Sequence, residues 1–164
     1  MRNKSVILPG SYDPVTLGHR ELIRRVAAEY REVYAVVFVN PKKKYTFPLE
    51  DRVRMLTLAT EELDNVLVSY SDGLVIDYMR EHKIDKIVKG YRTEADLPWE
   101  REQAEYNLKF GGYETELLQL PPEYREISST AAREALAGGG ELSGLLPAAV
   151  IDYIYEGKFF CDGG

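Results

Sequence analysis

The chain has 164 residues, 45% hydrophobic and 29% charged, the balance of a folded globular protein and the length of one domain, residues 1–164. With 21 Lys and Arg against 27 Asp and Glu, its net charge of −6 argues against nucleic acid as a partner, though a local cluster of cations can still take a small phosphorylated ligand. One cysteine, Cys161, permits no internal disulfide, the N-terminal apolar run is too short for a signal peptide, and no apolar run reaches the ~18 residues that span a membrane, which together point to a cytoplasmic protein.

Short apolar runs alternate with segments of helical spacing. The first run, 5–8, stops at Pro9-Gly10. A helical stripe of Leu22, Ile23, Val26, Ala27 and Tyr30 follows, then a second apolar run, 33–39. Leu49, Val53, Leu56 and Leu63 mark a second helix, and 66–68 a third strand. Leu74, Val75, Tyr78 and Met79 mark a third helix, before a strand at 86–88. Residues 94–110 carry two apolar stripes, Leu97-Arg101-Ala104-Leu108 and Trp99-Gln103-Tyr106-Phe110. A strand at 115–120 and two closing helices complete the series, with Pro147 in the first turn of the last. Gly138-Gly139-Gly140 reads as a flexible link between those two helices, and the tail 157–164 has no periodicity.

This alternation predicts an α/β protein, a Rossmann-like doubly wound five-stranded parallel sheet with helices on both faces. The continuously apolar runs predict strands covered on both faces. Ligands of such sheets bind beyond the carboxyl ends of the strands, where strand order reverses. Chemistry is therefore expected in the loops 9–16, 40–47, 69–73, 89–93 and 121–128.

Several common sites are missing. The sequence has no G-x-x-x-x-G-K-[ST] loop, no G-x-G-x-x-G after the first strand and no G-x-S-x-G elbow. Its two histidines, His19 and His82, lie far apart with no cysteine near either, so no dedicated metal site is expected.

Four strand-end segments suit an anion. In the first, Gly10 allows a tight turn and Thr16 caps a helix, placing His19 in the first turn, where free N–H groups and the helix dipole attract a phosphate and lower the imidazole pKa. In the second, Lys42, Lys43 and Lys44 follow Asn40-Pro41. In the third, Lys89 and Arg92 flank Gly90 and Tyr91. In the fourth, Ser128 caps a helix carrying Ser129, Thr130 and, one turn on, Arg133. Together they indicate a ligand with several phosphates.

Two of these segments carry signatures. Thr16-Leu17-Gly18-His19 matches [HT]-x-G-H, and Ile127 to Arg133 matches I-S-S-T-x-x-R. With Pro-Gly-Ser-Tyr-Asp-Pro before the first, Pro-Lys-Lys-Lys, Leu-Glu-Asp-Arg-Val and Lys-Gly-Tyr-Arg-Thr-Glu-Ala-Asp, the chain resembles the bacterial phosphopantetheine adenylyltransferase family of the nucleotidylyltransferase superfamily over residues 6–155. The resemblance implies reversible transfer of the adenylyl group of ATP to phosphopantetheine, giving dephospho-coenzyme A and pyrophosphate. It implies His19 as transition-state stabiliser, and Ser11, Lys43, Val75 and Lys89 as the acceptor site. It implies ATP contacts from Ser11, Tyr12, His19, Gly90, Tyr91, Arg92, Glu100, Tyr124, Arg125, Glu126, Ile127, Ser128, Ser129 and Thr130. Mg²⁺ would accompany ATP, the helix at 94–110 would serve a homohexamer, and coenzyme A is a candidate feedback ligand. Lys89 stands where the family usually has Arg. Pro98, close to Glu100, and residues 122–126 also depart from its pattern. The alternatives are a nucleotidylyltransferase with another acceptor, such as nicotinate mononucleotide, and a non-catalytic nucleotide-binding sensor.

Overall fold

The computed structural model describes residues 2–157; Met1 and residues 158–164, with Cys161 and most of the tail, lie outside the described residues. In chain order the elements are β1 (Arg2–Gly10), α1 (Leu17–Ala27), β2 (Tyr30–Phe38), α2 (Leu49–Thr60), β3 (Val66–Ser71), α3 (Val75–His82), β4 (Lys86–Tyr91), α4 (Leu97–Gly111), β5 (Thr115–Gln119), α5 (Ser129–Gly138) and α6 (Ala148–Glu156), with 3₁₀ turns at Glu94–Asp96 and Pro122–Tyr124. The strands form one sheet ordered β3-β2-β1-β4-β5, and every pairing is parallel. The α/β class is as expected. The chain winds outward from β1 to β3, then crosses back to β4 beside β1. Strand order therefore reverses between β1 and β4, and the crevice opens beyond Gly10 and Tyr91.

Alternation along the central strands divides the core between two faces. Val6, Leu8, Val33, Ala35, Val37 and Val88 point to one face and pack with Leu22 and Ile23 of α1, Met55 and Leu56 of α2, and Val150 and Ile154 of α6. Ile7, Val36 and Ile87 point to the other and meet Tyr78 and Met79 of α3. Burial on both faces holds at the centre of the sheet, not at its edges. Leu67 and Tyr70 of β3 are exposed, and β5 has no fully buried residue. An edge strand has one neighbour and a shorter span of covering helix, which its sequence run does not reveal.

Several boundaries differ from expectation. β1 continues through Pro9 and Gly10. Proline's missing N–H is tolerated where the ladder ends. β4 runs to Tyr91, so Lys89, Gly90 and Tyr91 are strand residues, not a loop. β3 extends to Ser71, while β2 and β5 end one residue early, at Phe38 and Gln119. Tyr30 opens β2, Leu63 lies past the end of α2, and exposed Leu74 is the N-cap of α3. Pro147 is the N-cap of α6, one residue outside its first turn. The glycine link begins as a defined cap, not free chain. Gly139 adopts φ +70°, and the Gly140 N–H donates to the Ala135 carbonyl at 2.7 Å.

α4 buries no residue, so neither of its apolar stripes belongs to the core. Leu108 and Phe110 lie on its open side, and Trp99 (61% exposed) and Tyr106 stand at the rim of a cavity against the sheet. Glu100, Gln103, Ala104 and Asn107 line that cavity more deeply. The face of the helix toward the molecule mixes polar and apolar groups because it bounds a cleft.

Candidate active site

β1 delivers the first loop into the crevice. Its left-handed turn falls on Tyr12, at φ +47°, not on Gly10. Gly10 instead leaves room, because a Cβ there would stand 3.2 Å from the Tyr12 ring. The Tyr12 hydroxyl donates to the Leu8 carbonyl at 2.8 Å, and burial pushes this phenol above its ordinary range. Its ring lies 4.9 Å from that of His19 and buttresses it.

Thr16 caps α1 as expected, and the cap fixes the histidine. The Thr16 hydroxyl accepts from the His19 N–H at 3.3 Å, while the Thr16 N–H donates to His19 Nδ1 at 3.0 Å. A neutral ring that accepts at Nδ1 carries its proton on Nε2. Burial, then the charges of Lys89 and Arg92, lower the His19 pKa to about 4. His19 is thus a neutral donor at physiological pH.

The backbone cradle at this helix end is smaller than expected. The Leu17 N–H donates to the Leu145 carbonyl at 2.9 Å, and that of His19 is held by Thr16. Among the described residues only the Gly18 N–H of these three lacks such a partner. At the start of α5, Ser128 caps as expected, accepting from the Ala131 N–H at 3.0 Å. The Ser129 and Thr130 N–H groups donate to nothing among the described residues. The second signature also ties down the first loop: Ser129 Oγ donates to the Pro14 carbonyl and Arg133 Nη1 to the Asp13 carbonyl, both at 2.8 Å. Arg133, expected in the anion cradle, is a strut between the two signatures.

β4 supplies the opposite wall. Lys89 Nζ lies 3.6 Å from Glu100 Oε1 of α4, a buried oxygen beyond hydrogen-bond reach of any described group. Gly90 lets α1 approach, since a Cβ there would come within 2.7 Å of Leu22 Cδ2. Arg92 Nη1 donates to the Arg125 carbonyl at 2.8 Å, joining the end of β4 to the segment before α5.

Two cavities meet across the Lys89–Glu100 pair, and both also touch Pro9 and Gly10. The smaller, about 230 Å³, is bounded by Tyr12, His19, Gly90, Arg92, Ile127, Ser128 and Ser129. The larger, about 690 Å³, runs between the sheet end and α4, with Ser11, Lys43 and Lys89 at one part of its wall and Phe38, Val39, Leu74, Val75 and Trp99 supplying apolar surface. A third hollow beside Tyr91, Arg92 and Trp99 also reaches Glu100. Thirteen of the seventeen candidate residues therefore converge. Tyr124, Arg125, Glu126 and Thr130 line none of these three cavities. Tyr124 packs against the core instead, and the Thr130 hydroxyl accepts from Arg133 Nη2 at 3.1 Å. All three lysines after Asn40 are exposed, and of them Lys43 alone lines one of these three cavities. Among the described residues no three His, Cys, Asp or Glu side chains group as a metal site.

Two residues beneath this site escaped the sequence reading. Asp13, quoted only within the Pro-Gly-Ser-Tyr-Asp-Pro run, is 5% exposed and accepts from the N–H groups of Thr46 and Phe47, both at 2.9 Å. Arg52, read only as part of a helix start, is 2% exposed and donates to the carbonyls of Phe47 (3.0 Å) and Ser11 (3.1 Å). A signal for Arg52 was present: it shares one helical stripe with Met55, Leu56 and Ala59, a cation at a core position.

The family model described as Cytidylyltransferase-like matches residues 7–135, from β1 into α5, and so contains both cavity walls and both signatures.

Proposed function

Because this chain belongs to the cytidylyltransferase-like family, whose reaction is nucleotidyl transfer, we propose that it transfers the adenylyl group of ATP to phosphopantetheine, releasing pyrophosphate and forming dephospho-coenzyme A. The observation that carries this reading is the meeting of two unlike cavities at Lys89 and Glu100, with neutral His19 on the wall of the smaller. A compact cleft that mixes polar groups with apolar walls suits a nucleotide. A longer one, cationic in one part and apolar in another, suits a phosphate on a flexible arm.

The acceptor phosphate is anionic at neutral pH and needs no base to activate it. One of its oxygens attacks the α-phosphorus of ATP, the bond to the bridging β-oxygen breaks, and pyrophosphate leaves with that electron pair. The task is to hold two repelling anions in line and to neutralise charge at the α-phosphate. In this proposal Ser11, Lys43 and Lys89 hold the acceptor phosphate, and Val75 lines the arm. Tyr12, Gly90, Tyr91, Arg92 and Glu100 contact ATP, as do Ile127, Ser128 and Ser129 of the segment 124–130. His19 donates from Nε2 to the α-phosphate, strengthening as charge develops there. Magnesium enters with the substrate, as MgATP. Coenzyme A returning to the same cavities as a feedback ligand, and assembly as a homohexamer through the open side of α4, belong to the same proposal.

Stereochemistry tests the mechanism. ATP made chiral by sulfur at the α-phosphorus should give product with inverted configuration. Retention would mean two displacements through an adenylyl-enzyme, and would sink direct attack.

A further inference from the structure

We propose that Asp13 and Arg52 are positioning residues that set where Lys43 stands, and so govern acceptor binding separately from ATP binding. This rests on reading the larger cavity as the acceptor site. Lys43 lies in an exposed segment, 40–46, in which only Tyr45 is half-buried. Bonds within the segment shape it: the Lys43 N–H donates to the Asn40 carbonyl at 3.0 Å and the Asn40 N–H to the Tyr45 hydroxyl at 2.9 Å. They do not tie it to the sheet.

Anchorage comes from its ends. At one end the Val39 N–H donates to the Ser71 carbonyl at 2.9 Å. At the other, the Asp13 carboxylate takes the Thr46 and Phe47 N–H groups, and Arg52 bridges the Phe47 and Ser11 carbonyls. The Arg52 guanidinium also lies 3.8 Å from the centre of the Tyr45 ring, and Lys43 Nζ lies 5.6 Å from the same ring. Asp13 and Arg52 are both buried, and neither forms an ion pair among the described residues. Burying unpaired charge is unfavourable unless hydrogen bonds compensate it. Here each charge is satisfied by backbone groups, and those groups belong to the two loops flanking the larger cavity. Asp13 is further held through its own carbonyl by Arg133, so the clip is braced from α5.

The test is steady-state kinetics of Asp13→Asn, which keeps the shape but turns one acceptor oxygen into a donor facing an N–H. The KM for phosphopantetheine should rise about tenfold, the equivalent of one charged hydrogen bond, with the KM for MgATP changed less than about twofold. In a Lys43→Ala background the same substitution should raise the acceptor KM by less than about twofold, because the lysine it positions is gone. Equal effects in both backgrounds, or parallel rises in both KM values, would reduce Asp13 to a fold-stabilising residue and overturn the proposal. If Asp13→Asn does not fold, Arg52→Lys, whose single ammonium cannot bridge both carbonyls, carries the same test. Hydrogen exchange at the Thr46 and Phe47 amides separates two failures. Faster exchange in the variant, with no turnover of phosphopantetheine by the unsubstituted protein, removes the acceptor reading and this proposal with it. Turnover by the unsubstituted protein with exchange unchanged in the variant overturns the positioning role alone.

Discussion

His19 is a neutral ring with its proton on Nε2, and three neighbours keep it so. The Thr16 amide occupies Nδ1, and Lys89 and Arg92 oppose a second proton on a ring already shielded from water. Against an ordinary value of 6.5, the folded pKa of about 4 means that the unfolded chain binds a proton between these limits and the folded chain does not. Stability from this group is therefore complete above about pH 6.5 and is lost as pH falls toward 4. Ring signals of His19 followed by NMR should show a neutral imidazole from pH 8 down to about pH 5. Half-protonation near 6.5 would show that the cap and cations do not act as described. His19→Ala should lower kcat about a hundred- to a thousandfold, the usual loss for a transition-state donor, while the ATP dissociation constant shifts far less. Comparable losses in both would contradict a role confined to the transition state. The cap and the place of His19 in the first turn were legible, because Thr16 and His19 are local in sequence. The roles of Asp13 and Arg52 were not, because the contacts that tie the two loops together, from Asp13 to Thr46 and Phe47 and from Arg52 to Ser11, span 33 to 41 residues.

Elements were read more reliably in kind than in extent. Alternation of apolar runs with helical stripes is a property of neighbouring residues, so strand and helix types followed from it. Strand ends depend on pairing partners, which is why β4 extends through Lys89, Gly90 and Tyr91. Periodicity marked two apolar stripes on α4 but could not show what covers them, and the fold leaves both without a fully buried residue. The close approach of α1 to β4 yields a prediction at this scale. Gly90→Ala drives a methyl to 2.7 Å from Leu22 Cδ2 and should cost about 1–3 kcal/mol of unfolding free energy. By pushing the Leu22 side chain within the smaller cavity wall it should also raise the KM for ATP. Leu22→Val in the same chain should restore much of that KM, and a double variant as impaired as Gly90→Ala would rule out the contact as cause. Ser128→Ala, which removes the cap of α5, should cost about 1 kcal/mol in urea titration; no change would mean that the helix start is held by Ser129 and Arg133 instead.

At the scale of the molecule, the proposed reaction asks a chain of net charge −6 to bring two anionic substrates together. Lys43, Lys89 and Arg92 line the cavities at the sheet end while most acidic groups lie elsewhere. The strand-order reversal was predictable as a kind of place but not as the gap between β1 and β4, since strand order is fixed by tertiary pairing. The acceptor rests on the family resemblance, because cations and cavities specify a phosphate but not the group that bears it. Among the described residues no helix is long and apolar enough to cross a membrane. The proposed hexamer predicts a sedimenting species of six chains, weakened by a charge at Phe110, which is 57% exposed on α4; a monomer at all concentrations would contradict it. The reaction itself is tested most directly by pyrophosphate release from MgATP, with phosphopantetheine, nicotinate mononucleotide and nicotinamide mononucleotide offered separately. Release should occur with phosphopantetheine alone. Release only with a pyridine mononucleotide would overturn the roles given to Ser11, Lys43, Val75 and Lys89, and ATP binding without release to any acceptor would contradict catalysis altogether.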